Sequence, residues 1–584
     1  MPSPEEIGKS GFTLRACAVA ALLAIALAAS SIYIALSLGA MPWPIIISVI
    51  ASGALLKILG VFKPTNIHEI NVAQAGASIG GVLASAAAFT IPAMWFLSEK
   101  KGLSIEPLPI ITVILVCITG GILGLLLSVS VRRVFVDEEN LPYASGKAGA
   151  DVLLAGDEGG DKAKIVLIGG AAAGLFMGLT YLANAPVVSV AELAPLGMVL
   201  VVALFIAPLA AGIGYILGPR ISVWSWFGGS LVGWGVLVPL LFLRGMKLDD
   251  AIPVVQNLGM GVLLGSGVGF LLLYMVPNAK KIFLPMFSGK EWYVRGAPVF
   301  SALAFLVLLA LNVPFIGALL AVLAVWVVVG VAARMTGETD IDPYEQFGIV
   351  SVVAIGLIFA LLGLNLDYSS SFIIVAFVTI AAAVVGDIGF DYKSAKIIGT
   401  KAIDMVKVDL VAVLFAGIAT PFVLDLIHKS YAKELFSQTM PATQATLVAG
   451  SIGGFAHPEV FGIGFVLALL WEIAWARLLK QKSPISAMAF GIGMFIGFAL
   501  SIPFAVGGAL RWIVERKRPS LLEAGMLACA GIMGGVGIGG FARGAMIITG
   551  FVPSPGNADF LITLFFAAIL AAGLAWAGLT RGKR

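Results

Sequence analysis

Apolar stretches near twenty residues long recur along this chain, joined mostly by short polar loops. A helix needs roughly 20 mainly apolar residues to cross a bilayer, and only helices and closed barrels satisfy their own backbone there. Candidate spans fall near residues 13–38, 43–61, 73–97, 108–131, 164–184, 194–217, 222–243 and 253–276. They continue near 297–312, 314–333, 347–365, 370–386, 408–427, 457–476, 485–508, 521–541 and 559–579. The stretch 297–312 is short. Ala442–Phe455 is shorter still and rich in glycine, which suits a re-entrant segment better than a span. Composition agrees, since 60% of residues are hydrophobic and only 12% charged, against about 25% charged in soluble domains. The sequence therefore predicts an all-α polytopic membrane protein, a single transmembrane domain over residues 1–584. The opening MPSPEEIGKS carries two acids and leads into the first span without a cleavage-site pattern, so that span is expected to be retained.

One stretch occurs twice. EINVAQAGASIGGV, Glu69–Val82, returns 454 residues later as EAGMLACAGIMGGV, Glu523–Val536. Glu69 matches Glu523, Gly80 and Gly81 match Gly534 and Gly535, and Val82 matches Val536. The register extends upstream without a gap, pairing Ala51 with Ala505, Gly53 with Gly507, Leu56 with Leu510 and Lys57 with Arg511. Glycine-rich helices resemble one another by composition. A base and an acid shared at the same spacing favour a true internal repeat, with copies near 39–97 and 493–551.

Loop charge sets orientation. If spans alternate, Arg132–Arg133, Lys280–Lys281 and the group Lys393, Lys396, Lys401 and Lys407 fall on one side, which puts the N-terminus in the cytoplasm. The seventeen candidates would then leave Arg511–Arg518 and the RGKR tail outside. Copies of one repeat should share an orientation here, so an even count repairs the conflict. About sixteen spans are expected, with both termini cytoplasmic. One loop is long, Val131–Lys164. It breaks at Leu-Pro-Tyr and runs into small residues, Ala144–Ala155; a surface helix and a hairpin entering a transport path fit it equally.

Several chemistries lack their residues. No GxxxxGK[ST] phosphate loop occurs, so direct ATP drive has no support. His68-Glu69 does not open an HExxH, and the paired acids Asp157-Glu158 and Asp249-Asp250 lack the further acids of a diphosphate–metal site. His68, His428 and His457 are scattered, and Cys17, Cys117 and Cys529 lie in or beside apolar segments. Neither a disulfide framework nor a metal-ligand spacing can be built from them. No enzyme activity, cofactor or metal site is expected, and a dispersed net charge of +4 offers nucleic acid no footing. An enzyme on lipid-linked substrates would need an acid-rich metal motif or a nucleophile–base pair, and a channel would need a filter-forming ring. Carriage driven by an ion gradient is the default that remains.

Seven segments, taken together, resemble the oligopeptide transporter (OPT) family. They are SSIYIALSLGAMPWPIIIS, NIHEINVAQAGASIGGVLASAAAFTIPAMWFL, SVRRVFVDEENLPYASGKAGADVLLAG, GYILGPRISVWSWFGGSLVGW, ARMTGETDIDPYEQFG, PATQATLVAGSIGGF and FAVGGALRWIVERK. The resemblance runs from about residue 11 to 580 and implies a sixteen-helix fold with internal repeats. It implies secondary active transport in the plasma membrane, with protons as coupling ion and small oligopeptides, or metal complexes of peptide-like chelators, as substrate. A homodimer is compatible with it. The Asn-Pro-Gly and Lys-Ile-Pro-Pro-Arg signatures of fungal and plant members are missing, which points to a prokaryotic branch.

Polar groups inside a membrane are costly and usually face a cavity or a partner, and transporters site them at interrupted helices. Asn71, Gln74 and Ser78 are spaced to share one helix face and are the first candidates for substrate binding. Gln444, on the expected re-entrant segment, and Tyr143, after Leu-Pro, follow them. Glu69 and Glu523 open their segments, where a helix dipole favours a carboxylate; capping is their leading role and proton carriage the alternative. Asp387 and Asp391 would lie one turn apart if DIGFDYK is helical, which suits a proton site if they are buried. The commoner arrangement for such a pair is a solvated face beside lysines. Glu472, inside an apolar segment between tryptophans, is a further candidate for proton coupling.

Overall fold

The computed structural model describes most of residues 8–535; the longest stretches outside that set are 177–186, 190–202 and 281–291, and residues 1–7 and 536–584 also lie outside it. The expected span 559–579 and the end of the second repeat copy therefore fall outside the described residues. Among those described, ten helices are long and apolar enough to cross a membrane. The fold is that of an all-α polytopic membrane protein.

In chain order the main helices are α1 (Leu14–Leu38), α2 (Ile45–Leu59), α3 (Ile67–Thr90), α4 (Ile110–Arg132), α5 (Ala144–Glu158), α6 (Pro208–Leu217), α7 (Leu248–Phe270) and α8 (Trp292–Ala310). There follow α9 (Phe315–Thr339), α10 (Tyr344–Leu361), α11 (Tyr368–Ile398), α12 (Ala402–Ser430) and α13 (Thr443–Gly453). The last are α14 (Pro458–Ile473), α15 (Ala487–Ile496) and α16 (Phe498–Lys517). They form two compact units, one drawn from Met1–Asp157 and Met275–Gly454, the other from Glu158–Tyr274 and Phe455–Arg584.

Several expected boundaries move, each for a local reason. The span expected at 485–508 is two helices, because Gly497 adopts a left-handed φ of +80° between α15 and α16; the Trp234 ring occupies the place a Cβ there would need. Among the described residues of the span expected at 194–217, Ala203–Phe205 is extended and pairs antiparallel with Val187–Ser189, and Pro208–Leu217 is helical, opened by a residue suited to a first helical turn. The run expected to end at residue 386 continues as helix to Ile398, so Lys393 and Lys396 lie within α11 and not in a loop. Ala144–Ala155 is not a solvated surface helix: it belongs to α5, most of whose described side chains are buried, and the turn a hairpin would need lies outside the described residues. The short α13 measures about 16 Å at 1.5 Å per residue, too short to span.

In the first unit α3 and α11 occupy the centre. α1, α2, α12 and α13 pack on α3, while α4, α9 and α10 pack on α11, and α3 and α11 pack on each other. Every residue of α3 from Glu69 to Thr90 and of α11 from Ser370 to Ala395 is buried, so neither helix shows a face to lipid. Such enclosure needs small residues at the crossings. A Cβ on Gly80 would stand 2.5 Å from the Ala24 Cα of α1, and one on Gly124 of α4 would stand 2.4 Å from the Ala381 carbonyl oxygen of α11. Overpacking of this kind typically costs about 1–3 kcal/mol. Gly80→Val should lower the thermal unfolding midpoint in detergent by several degrees. Gly450→Ala in α13, where a Cβ meets nothing within 4 Å, should leave it unchanged or raise it. Equal midpoints for the two variants would count against close approach as the reason for Gly80.

In the second unit α7 packs on α14 and α15, and α16 packs on α6. Gly261 and Gly265 of α7 bring its backbone against Phe461 and Phe465 of α14.

Candidate transport site

The α3–α11 seam carries a row of polar side chains. α3 begins at Asn66, whose side chain accepts from the Glu69 amide at 2.9 Å, a standard N-cap. From there Asn71, Gln74 and Ser78 fall on the face toward α11. Gln74 Nε2 donates to Asp391 Oδ1 at 2.9 Å, and the Ser78 hydroxyl donates to Asp387 Oδ2 at 2.8 Å. Asn71 donates to Thr400 Oγ1 at 3.1 Å and accepts from Ser394 at 3.0 Å. Ser48 of α2 donates to Gln74 Oε1 at 3.2 Å. Asn71, Gln74, Ser78, Asp387 and Asp391 are all 0% exposed.

The solvated face beside lysines does not form. Lys393 Nζ donates to the Leu141 carbonyl at 2.7 Å and to Asn140 at 3.0 Å, and Lys396 Nζ donates to the Val136 carbonyl at 2.8 Å. The lysines hold the turn that leads into α5, leaving the acids to α3. Asp387 Oδ1 and Asp391 Oδ2 have no hydrogen-bond partner. Asp409 of α12 joins them within electrostatic range, fully buried and with both oxygens unpartnered. Its neighbour Val408 packs on Gly76 of α3, where a Cβ would stand 2.9 Å from Val408 Cγ2.

Residues 8–15 strap the end of this row. The Lys9 amide donates to the Gly399 carbonyl at 2.8 Å, and the Lys401 amide donates back to Lys9 at 2.9 Å. Ser10 Oγ and the Gly11 amide donate to Asp404 Oδ2 at 2.6 and 3.1 Å. Thr13 Oγ1 and Arg15 Nε donate to Glu69 Oε1 at 2.5 and 2.6 Å, and the Arg15 guanidinium also reaches Oε2. His68 Nδ1 lies 3.0 Å from Thr400 Oγ1, beside the Asn71 contact.

A second polar cluster surrounds the α9–α10 junction. Asp340 caps α9 in a left-handed conformation, φ 61°, and accepts from the Ser145 amide at 2.8 Å and from its hydroxyl. Burial pushes its carboxyl up to about 6, against the pull of the Ser145 hydrogen bonds. Burial, and then Glu345, push Asp342 well above the usual carboxylate range, and neither Asp342 oxygen has a partner. Tyr344 OH lies 3.0 Å from Ser85 Oγ of α3, and Gln346 Nε2 donates to Gln444 Oε1 of α13 at 3.3 Å.

The sequence profile of the OPT oligopeptide transporter protein family matches residues 11–265 and 281–547. The chain belongs to the OPT family. A Haemophilus influenzae (strain Rd) protein provisionally named an oligopeptide transporter is 24% identical over 551 residues, which cover 80% of this chain and 84% of that relative.

This OPT chain gathers Asn71, Gln74, Ser78, Asp387 and Asp391 at one seam. Gln444 stands in the second cluster instead. Tyr143, at φ 42°, donates from its hydroxyl to the Ala333 carbonyl at 2.7 Å and packs its ring on Phe390, Gly337 and Gly389; its visible contacts are those of packing. Glu69 is ion-paired with Arg15. Glu472 belongs to the second unit, where it accepts from Ser266 of α7 at 2.6 Å, and Glu523, in the same unit, is exposed. Sequence reasoning missed Asp409 and Asp342. Asp409 interrupts the apolar run of α12 in VKVDLVAV, a signal that was there to be read. Asp342, in DIDPYEQ, carried only the marks of a loop.

Proposed function

We propose that this OPT protein is a secondary active transporter that couples inward proton flow to the import of small oligopeptides across the plasma membrane, with about sixteen spans and both termini cytoplasmic. The observation that supports it best is the direct bonding of Gln74 to Asp391 and of Ser78 to Asp387 within two helices that cross the first unit. An unpaired carboxylate in such a place is costly, and marks an ion or substrate path by default; a proton relieves the cost. The same bonds tie the acids to carboxamide and hydroxyl groups able to contact a peptide backbone. A change of protonation at Asp391 therefore reorganises Gln74, and through Gln74 also Ser48 and Asn71. On this reading Asn71, Gln74 and Ser78 line the path, and Asp387 and Asp391 carry the proton.

The test is uptake of labelled di- to hexapeptides into proteoliposomes. An imposed inward proton gradient should accelerate uptake several-fold over vesicles at equal pH, and an ionophore that collapses the gradient should remove the gain. Uptake that ignores the gradient would sink proton coupling. Uptake of an intact metal–chelate complex in place of peptides would move the substrate to the chelate class.

A further inference from the structure

We infer that the cluster at the start of α10 binds the ammonium terminus of the transported peptide, with Asp342 as its counter-charge; this assignment rests on the peptide reading above. Among the described residues, the buried atoms there without a protein partner include Asp342 Oδ1 and Oδ2, Gln346 Oε1, Thr379 Oγ1 and, on the α9 side, Thr336 Oγ1, on side chains of residues at least nine-tenths buried. Every one of them can accept a hydrogen bond. Buried polar atoms are ordinarily satisfied, so a set of orphan acceptors asks for a ligand rich in donors.

They also follow one another along a seam. Asp342 Oδ2 lies against Gly386, where a Cβ would stand 2.2 Å away, and Thr379 Oγ1 lies against Gly348, further along the same α10–α11 contact. Gln346 lies between these two points in the α10 sequence and is joined to Gln444 of the short α13 by the 3.3 Å bond. An ammonium followed by backbone N–H groups presents donors in such a line.

Among the described residues no basic side chain is bonded to Asp342. Arg334 of α9 pairs with Glu139, and Lys393 of α11 serves Leu141 and Asn140. Trp43 Cη2 would stand 3.1 Å from the same Cβ on Gly386, so an aromatic ring adjoins the carboxylate. A cation gains from both. A hard metal ion would want six or more oxygens, and a single aspartate with one carboxamide oxygen does not supply them. The cost that burial places on the Asp342 carboxylate is the cost an ammonium relieves. Asp342 lies against Gly386, the residue before Asp387 in α11, which sets the ammonium site beside the proton-carrying acids of the proposed path.

Binding of trialanine and of N-acetyl-trialanine to the purified full chain in detergent tests the assignment by calorimetry. The wild type should prefer trialanine by roughly tenfold or more, the worth of a hydrogen-bonded charge. Asp342→Asn should erase that preference, chiefly by losing affinity for trialanine. A preference retained in Asp342→Asn, or none in the wild type, would overturn the site and leave the peptide reading standing. Failure of the wild type to bind either peptide would overturn both. Should Asp342→Asn not fold, Gln346→Met serves instead: trialanine affinity should fall several-fold, and unchanged affinity would overturn the assignment.

Discussion

Asp391→Asn should abolish peptide uptake driven by a proton gradient, to the level of empty vesicles, while the protein still exchanges peptide across the membrane when no gradient is imposed. Asparagine fills nearly the same volume and keeps an oxygen for Gln74 Nε2, which donates to Asp391 at 2.9 Å. Packing in α11 is thus preserved, and only the exchangeable proton is lost. Asp387→Asn should behave alike, since Ser78 can still donate to the remaining oxygen. Gln74→Leu makes the complementary case. It keeps both acids but removes the donor to Asp391 and the acceptor of Ser48, so exchange and driven uptake should fall together. Driven uptake that survives in both aspartate variants would remove the pair from the proton path. Loss of exchange along with driven uptake in Asp391→Asn would instead make the acid a substrate ligand.

The α3 row was legible because its polar residues interrupt a small-residue helix at spacings of three and four, a pattern that survives without knowledge of the neighbours. Its partners were harder. The hydrophobic run of α11 ends at Gly386, and a polar stretch after an apolar run looks the same whether the helix stops or continues into a protein-lined interior. Only the enclosing helices decide that. Asp409 interrupts the apolar run of α12 close to its start, where an acid looks like one at a helix end, and Asp342 stands in a loop, where acids are expected to meet water. The helix boundaries of the two repeat copies can be compared. α2 ends at Leu59 and α3 begins at Ile67; in the matching region α16 ends at Lys517 and helix resumes at Leu522. We propose that the two units share one plan, with the polar row confined to the first. Gly525, the counterpart of Asn71, packs on the Tyr215 hydroxyl instead.

Arg15→Leu should damage folding severely, and Glu69→Leu added to it should recover much of the loss. Glu69 is 1% exposed, and both its oxygens are engaged by Arg15, with Thr13 as a further donor. Removing the partly exposed Arg15 leaves the Glu69 carboxylate desolvated without its counter-charge, which is far worse than replacing both with apolar groups. The strap depends on this contact, because Arg15 also holds the Pro64 carbonyl at 3.0 Å and residues 9–11 lie over Gly399 and Asp404. Folded yield and thermal midpoint in detergent should therefore rank wild type first, the double variant next and Arg15→Leu last. The same double variant separates the two roles open to Glu69. If the acid serves only the fold, Arg15→Leu/Glu69→Leu protein that folds should keep gradient-driven uptake. If it carries the proton, that protein should exchange peptide yet fail to accumulate it. The geometry favours the first outcome: Glu69 is committed to a guanidinium and a hydroxyl, whereas Asp387 and Asp391 each keep an oxygen free.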